Sequence, residues 1–143
     1  NDAGLIYVLT GDGELDEGQV WEAMMSAAHH KVDNMIVTVD WNGQQIDGAT
    51  KDVMSLGDLD AKWKSFGWMV LHMNGNVMEE VLDTLAQAKA LTGKGQPVVI
   101  LMKTDMGFGV DFMMGSHHWH GVAPNDEQKD KALAQLEETL GDY

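Results

Sequence analysis

Two apolar, β-rich runs lie thirty residues apart and each stops abruptly at a turn carrying an acidic or amide side chain, which constrains the fold more than any other feature. Leu5-Ile6-Tyr7-Val8-Leu9 ends at Gly11-Asp12-Gly13, and Met35-Ile36-Val37-Thr38-Val39 ends at Asp40-Trp41-Asn42-Gly43. Continuous apolar runs bounded by turn residues suit strands covered on both faces, as in a parallel sheet. Between them, residues 17–31 place Val20, Met24, Ala27 and Ala28 at three- and four-residue spacing, which predicts an amphipathic helix whose alanines let it lie close to the sheet. Asp16 and Glu17 suit its amino end. Strand, helix and parallel strand take about 30 residues, and ligands of open α/β sheets bind beyond the carboxyl ends of the strands. The Asp12 carboxylate and the Asn42 amide oxygen are therefore expected at one crevice. Two oxygen ligands with room for waters and phosphate oxygens suit Mg2+, and a bound diphosphate would complete such a site. Gly-Asp-Gly after a strand is also ordinary turn chemistry, so the turn alone does not decide.

The rest of the chain repeats this grammar. Residues 42–57 are rich in Gly, Asp, Gln and Thr and read as a loop folding back over the crevice. A short helix is expected over 59–66 and a third strand over 68–73, with Trp63, Phe66 and Trp68 in the core. Residues 79–91 carry Val81, Leu82, Leu85, Ala88 and Leu91 at helical spacing, and Thr92-Gly93-Lys94-Gly95 ends that helix. A fourth strand follows over 97–102, with proline at the tolerated first position, and the glycine-containing loop 103–109 should border the same crevice. The eleven methionines recur along apolar faces and read as core filler. His117-His118-Trp119-His120 admits either a solvated loop or a His-x-x-His metal pair, although no acidic or cysteine ligand lies at helical spacing nearby. Residues 125–140 read as a polar helix with Leu133, Leu136 and Leu140 on one stripe, a packing arm. The pattern predicts an α/β, doubly wound parallel sheet with helices on both faces, and a single domain over residues 1–143.

A formal charge of -14 argues against nucleic acid or an anionic membrane surface as partner, because basic patches bind both. Small phosphorylated substrates need only local positive charge. The absence of cysteine excludes disulfides, thiolate metal sites and cysteine nucleophiles and suits a reducing compartment, so a cytoplasmic location is expected. There is neither a cationic signal sequence nor an apolar run long enough to span a bilayer. The chain starts without methionine, directly before a strand expected to be central, and further upstream structure is expected in the complete protein.

The order Gly-Asp-Gly-Glu-Leu-Asp-Glu-Gly-Gln-Val-Trp-Glu-Ala over 11–23, with Asn42-Gly43-Gln44-Gln45-Ile46-Asp47-Gly48 at this distance, resembles the thiamine-diphosphate motif of transketolases. The similarity continues through Ala27-Ala28-His29-His30-Lys31, 62–68, and Gly115-Ser116-His117 to His120-Gly121, so it covers nearly the whole chain. It implies a thiamine-diphosphate-binding fold of the diphosphate-domain type, incomplete at its amino end, that transfers a two-carbon ketol unit from a ketose phosphate to an aldose phosphate. Asp12, Asn42 and the main-chain carbonyl of Gln44 would hold Mg2+, or Ca2+ or Mn2+ in its place. Gly11, Asp12, Gly13, Glu14, Asn42 and His120 would line the cofactor. His120 would contact the diphosphate region and substrate, and Glu17 and Glu22 would lie in an acidic path across a subunit interface joining two cofactor sites. The resemblance also implies a partner domain or subunit that binds the aminopyrimidine and supplies the glutamate activating it, in a homodimer or an α2β2 assembly. Two alternatives stay open: another thiamine-diphosphate enzyme, such as a 2-oxo acid dehydrogenase component or a deoxyxylulose-phosphate synthase, and a truncated, non-catalytic paralogue.

Overall fold

A computed structural model describes residues 4–136. In chain order it forms β1 (Ile6–Gly11), α1 (Gly18–His29), β2 (Met35–Trp41), β3 (Gln44–Gln45), β4 (Gly48–Ala49), α2 (Thr50–Val53), α3 (Leu59–Ser65), β5 (Met69–Asn74), α4 (Met78–Leu91), β6 (Val98–Lys103) and α5 (Asp126–Leu133). Short 3-10 turns cover Gly13–Asp16 and His117–Trp119. Four strands make one wholly parallel sheet in the order β1-β2-β6-β5, with Ile6 opposite Met35 and Ile36 opposite Val98. Because side chains alternate across a strand, this register splits the apolar residues between two faces. Val8, Val37, Val39, Val99 and Leu101 meet α1 and α3 through Met24, Ala27, Leu59, Trp63 and Trp68. Ile36, Met73, Val98 and Ile100 meet α4 through Ala88, Val81 and Leu85. Burying each such large side chain contributes about 1.5–3 kcal/mol, so these two layers hold the sheet. Helices thus cover both faces, as the doubly wound reading requires.

Several local expectations change. β1 is not covered on both faces: it forms an edge of the described sheet, and Tyr7 and Leu9 are 53% and 69% exposed. The cause is that α4 packs against β2, β6 and β5 and does not reach β1. Leu82, placed by spacing on the apolar stripe of α4, is exposed, and Thr84 is buried instead. The loop 42–57 contains a two-residue hairpin, β3 and β4, and the single turn α2. The last helix ends at Leu133; Leu133 is 61% exposed, while Leu136, beyond the helix and 47% exposed, lies against Gly109. The helix's polar sequence is held by an Asn125–Gln128 capping box and a Glu127–Lys131 pair. Leu140 lies outside the described residues.

Candidate functional site

β1 and β2 are adjacent, so the turns that follow them meet. The ladder runs one residue past the strand, Asp12 N donating to Asp40 O at 3.0 Å. Asp12 then turns inward, and its Oδ2 accepts from Gly43 N at 2.7 Å, which ties the two strand ends together. Asn42 Oδ1 accepts from Gln44 N at 2.8 Å, the local bond an asparagine commonly makes in a turn. Glu14 reaches back to accept from Gly11 N at 2.7 Å. Gly13 is needed for this chain's own packing, since a Cβ there would stand 3.0 Å from Gln45 Cβ in the β3 hairpin. The result is a crevice of about 520 Å³ beyond the carboxyl ends of the strands.

Gly11, Asp12, Gly13, Glu14, Glu17, Asn42, Gln44 and His120 all line this crevice, so the structure brings together residues from both ends of the sequence. His120 is exposed and follows the 3-10 turn His117–Trp119. It also borders a second cavity of about 510 Å³, shared with Ile46 and Asp47 and lined further by His117 and His118. Glu22 is not among the lining residues; it lies exposed on α1, apart from the crevice. Asp40 and Asp16 line the crevice although nothing in the sequence pattern marks them for it. Asp40 has a signal of sorts, an acidic residue ending an apolar strand, but that is also how many strands end.

The electrostatics are one-sided. Among the described residues Asp12, Glu14, Asp16, Glu17, Asp40 and Asp47 line the crevice and no lysine or arginine does. Asp12 is 1% exposed. Burial pushes its carboxyl above the ordinary range and Asp40 pushes the same way, while the N–H groups of Gly43 and Gly13 and the Lys103 ammonium pull it back. A buried, only partly compensated carboxylate beside a second one calls for a cation. The Asp12 carboxylate and the Asn42 amide offer the crevice hard oxygens of the kind that Mg2+ and Ca2+ take. Among the described residues no group of three or more His, Cys, Asp or Glu side chains could hold a metal ion, which leaves the His117/His120 pair without the further ligands a zinc site needs. Nor is any described helix long and apolar enough to cross a membrane.

A doubly wound parallel sheet with an acidic, oxygen-lined crevice beyond its strand ends defines an α/β domain built to take a ligand at that crevice. The chain belongs to the transketolase family, matching its thiamine diphosphate binding domain over residues 3–141. It is 41% identical over 133 residues to one of the subunits of the apulose-4-phosphate transketolase of Actinobacillus succinogenes, covering 93% of this chain and 47% of that protein. It is 40% identical over 132 residues to a 6-deoxy-6-sulfo-D-fructose transketolase subunit of a Clostridium species, covering 92% of this chain and 47% of the relative. Among solved structures it resembles transketolase from Campylobacter jejuni with a TM-score of 0.84 and 35% identity, over 92% of this chain and 20% of that one. The chain therefore spans about half the length of the curated relatives it matches.

Proposed function

We propose that this chain forms the metal-and-diphosphate end of a transketolase that passes a two-carbon ketol unit from a ketose phosphate to an aldose phosphate. The observation that carries the reading is the buried Asp12 carboxylate, tied to Gly43 and facing a crevice shared with Asn42, Gln44 and His120. Asp12, Asn42 and the Gln44 carbonyl would hold Mg2+, or Ca2+ or Mn2+ in its place. The metal in turn would let a diphosphate enter a crevice whose own charge is negative. Gly11, Gly13 and Glu14 form the wall against which the diphosphate would lie.

When bound, thiamine diphosphate supplies the nucleophilic carbon and the electron sink of the reaction. The protein's part is to anchor, orient and move protons. His120 stands at the join of the two cavities, where it can donate a hydrogen bond to an anion and carry a proton to or from a substrate hydroxyl. Glu17, exposed on the crevice lining, and Glu22, exposed on α1, suit an acidic path toward a second protomer. Several relatives are themselves named as single subunits of a transketolase, which supports a partner chain that would bind the pyrimidine half of the cofactor. Sugar phosphates are the substrate class this reading carries. Its test is calorimetric titration of the assembled enzyme. Asp12→Ala should abolish Mg2+-dependent cofactor binding and Asn42→Ala should weaken it, whereas unchanged cofactor affinity in a folded Asp12→Ala variant overturns the assignment.

A further inference from the structure

We infer that Asp40 is a positioning residue that fixes the Asn42 amide so that its oxygen, and not its NH2 group, is presented for metal binding. The inference rests on the reading of Asp12 and Asn42 as metal ligands. Asp40 touches the ends of three strands. Its main-chain oxygen accepts from Asp12 N at 3.0 Å, past the end of β1. Its Oδ1 accepts from the Thr104 hydroxyl, just beyond β6. Its Oδ2 accepts from Asn42 Nδ2 at 3.4 Å, just beyond β2.

The two ends of the Asn42 amide are thereby read by groups of opposite character. The NH2 group faces a carboxylate, which only accepts, and the oxygen faces the N–H of Gln44 at 2.8 Å, which only donates. Turned over, the amide would set NH2 against N–H and oxygen against carboxylate, two repulsive contacts in place of two attractive ones. A carbonyl oxygen has a second lone pair, so Oδ1 can keep the Gln44 bond and still serve a cation. Asp40 is itself pinned by Thr104, so the chain of control runs from the β6 loop through Asp40 to Asn42. Outer partners of this kind orient metal ligands and tune the metal without touching it.

The test uses the assembled holoenzyme and titrates Mg2+ by calorimetry at saturating thiamine diphosphate. Asp40→Ala removes the acceptor that faces the Asn42 NH2 group and should weaken Mg2+ binding about 10- to 100-fold, the scale of losing an outer-shell partner. The turnover rate at saturating Mg2+ should change far less than the Mg2+ affinity. Asp40→Asn, whose carbonyl oxygen can accept from Asn42 while its NH2 group donates to the Thr104 hydroxyl, should retain most of that affinity, which a role for Asp40 through its charge alone would not produce. Thr104→Val, which removes only the pin, should show a smaller loss in the same direction and serves if Asp40→Ala does not fold. Unchanged Mg2+ affinity in folded Asp40→Ala, or an equal loss in folded Asp40→Asn, overturns the inference while leaving the metal site itself standing. Unchanged Mg2+ affinity in Asp12→Ala overturns the site and the inference together.

Discussion

Asp12 carries the most confined charge of the crevice, and its behaviour with pH follows from that. Its folded pKa lies above the ordinary carboxylate value, chiefly through burial, so the protonated form is the one folding favours when no metal is present. That contribution is present at low pH and is lost as pH rises through the raised pKa, at about 1.4 kcal/mol for each unit of elevation. A cation binds only the ionised form, so metal affinity should run the other way and increase with pH across the same interval. Asp12→Asn should accordingly raise the melting temperature of the metal-free protein near neutral pH and erase the further rise given by Mg2+ with thiamine diphosphate. Thermal scans with and without the metal check both; a variant that melts lower than the parent without metal contradicts the electrostatic account. His120 makes a different demand, because it is exposed at the join of the two cavities rather than buried as Asp12 is. His120→Ala should slow ketol transfer by about 10- to 1000-fold, the scale of a lost acid-base or charge-stabilising group, with little change in cofactor affinity. His118 borders only the second cavity, so His118→Ala is the control, and equal losses in the two would reduce the segment to a structural loop.

At the scale of elements, the loops beyond the strands are linked by steric contact as well as by hydrogen bonds. A Cβ at Gly75, in the turn after β5, would fall 2.6 Å from both Met102 Cγ and Thr104 Cγ2. Gly75→Ala must push on Thr104, which holds Asp40, so it should cost about 1–3 kcal/mol in urea unfolding, the usual range for overpacking. It should also weaken Mg2+ binding in the holoenzyme. A full loss of stability with no effect on the metal would show that the turn and the site are uncoupled. The order of these elements was legible because continuous apolar runs mark β1, β2 and β6 and a 3.6-residue apolar period marks α1 and α4. So was the meeting of Asp12 and Asn42, which needs only two adjacent parallel strands. What was not legible depends on neighbours. Whether β1 is covered on its second face depends on which strands α4 spans, and sequence periodicity carries no such information. The β3 and β4 hairpin is two residues long on each side, too short for any pattern. Leu133 and Leu136 match a helical stripe, yet the helix stops at Leu133, so Leu136 meets Gly109 from beyond the helix and Leu133 stays exposed. Asp40 carries no pattern of its own, because its importance lies in the two atoms it faces, from Thr104 and Asn42, and one of these is 64 positions away.

Taken whole, the described sheet has a closed interior and an open edge at β1. β6 is paired on both sides and its residues Val98, Val99, Ile100 and Leu101 are essentially inaccessible, while β1 pairs on one side and leaves Tyr7 and Leu9 open. An exposed apolar edge strand invites pairing with another chain, so the 143-residue chain by itself should self-associate as its concentration rises, and should not turn over a ketose phosphate without a pyrimidine-binding partner. Light scattering and a ketol-transfer assay, with and without that partner, check the two halves; turnover by the lone chain would refute the divided site. The same asymmetry sets an order in time. Strand β6 joins β5 through the nearby helix α4 and is the most deeply enclosed, so its amides should be the last to exchange with solvent, and the β1 amides among the first. Asp12 belongs to the early-opening margin and Asn42 to its more deeply paired neighbour. A cation held between them would act as a clasp across that seam, slowing amide exchange along β1 more than in β6, so that cofactor loading would be written into the folding of the strand that bears its first ligand.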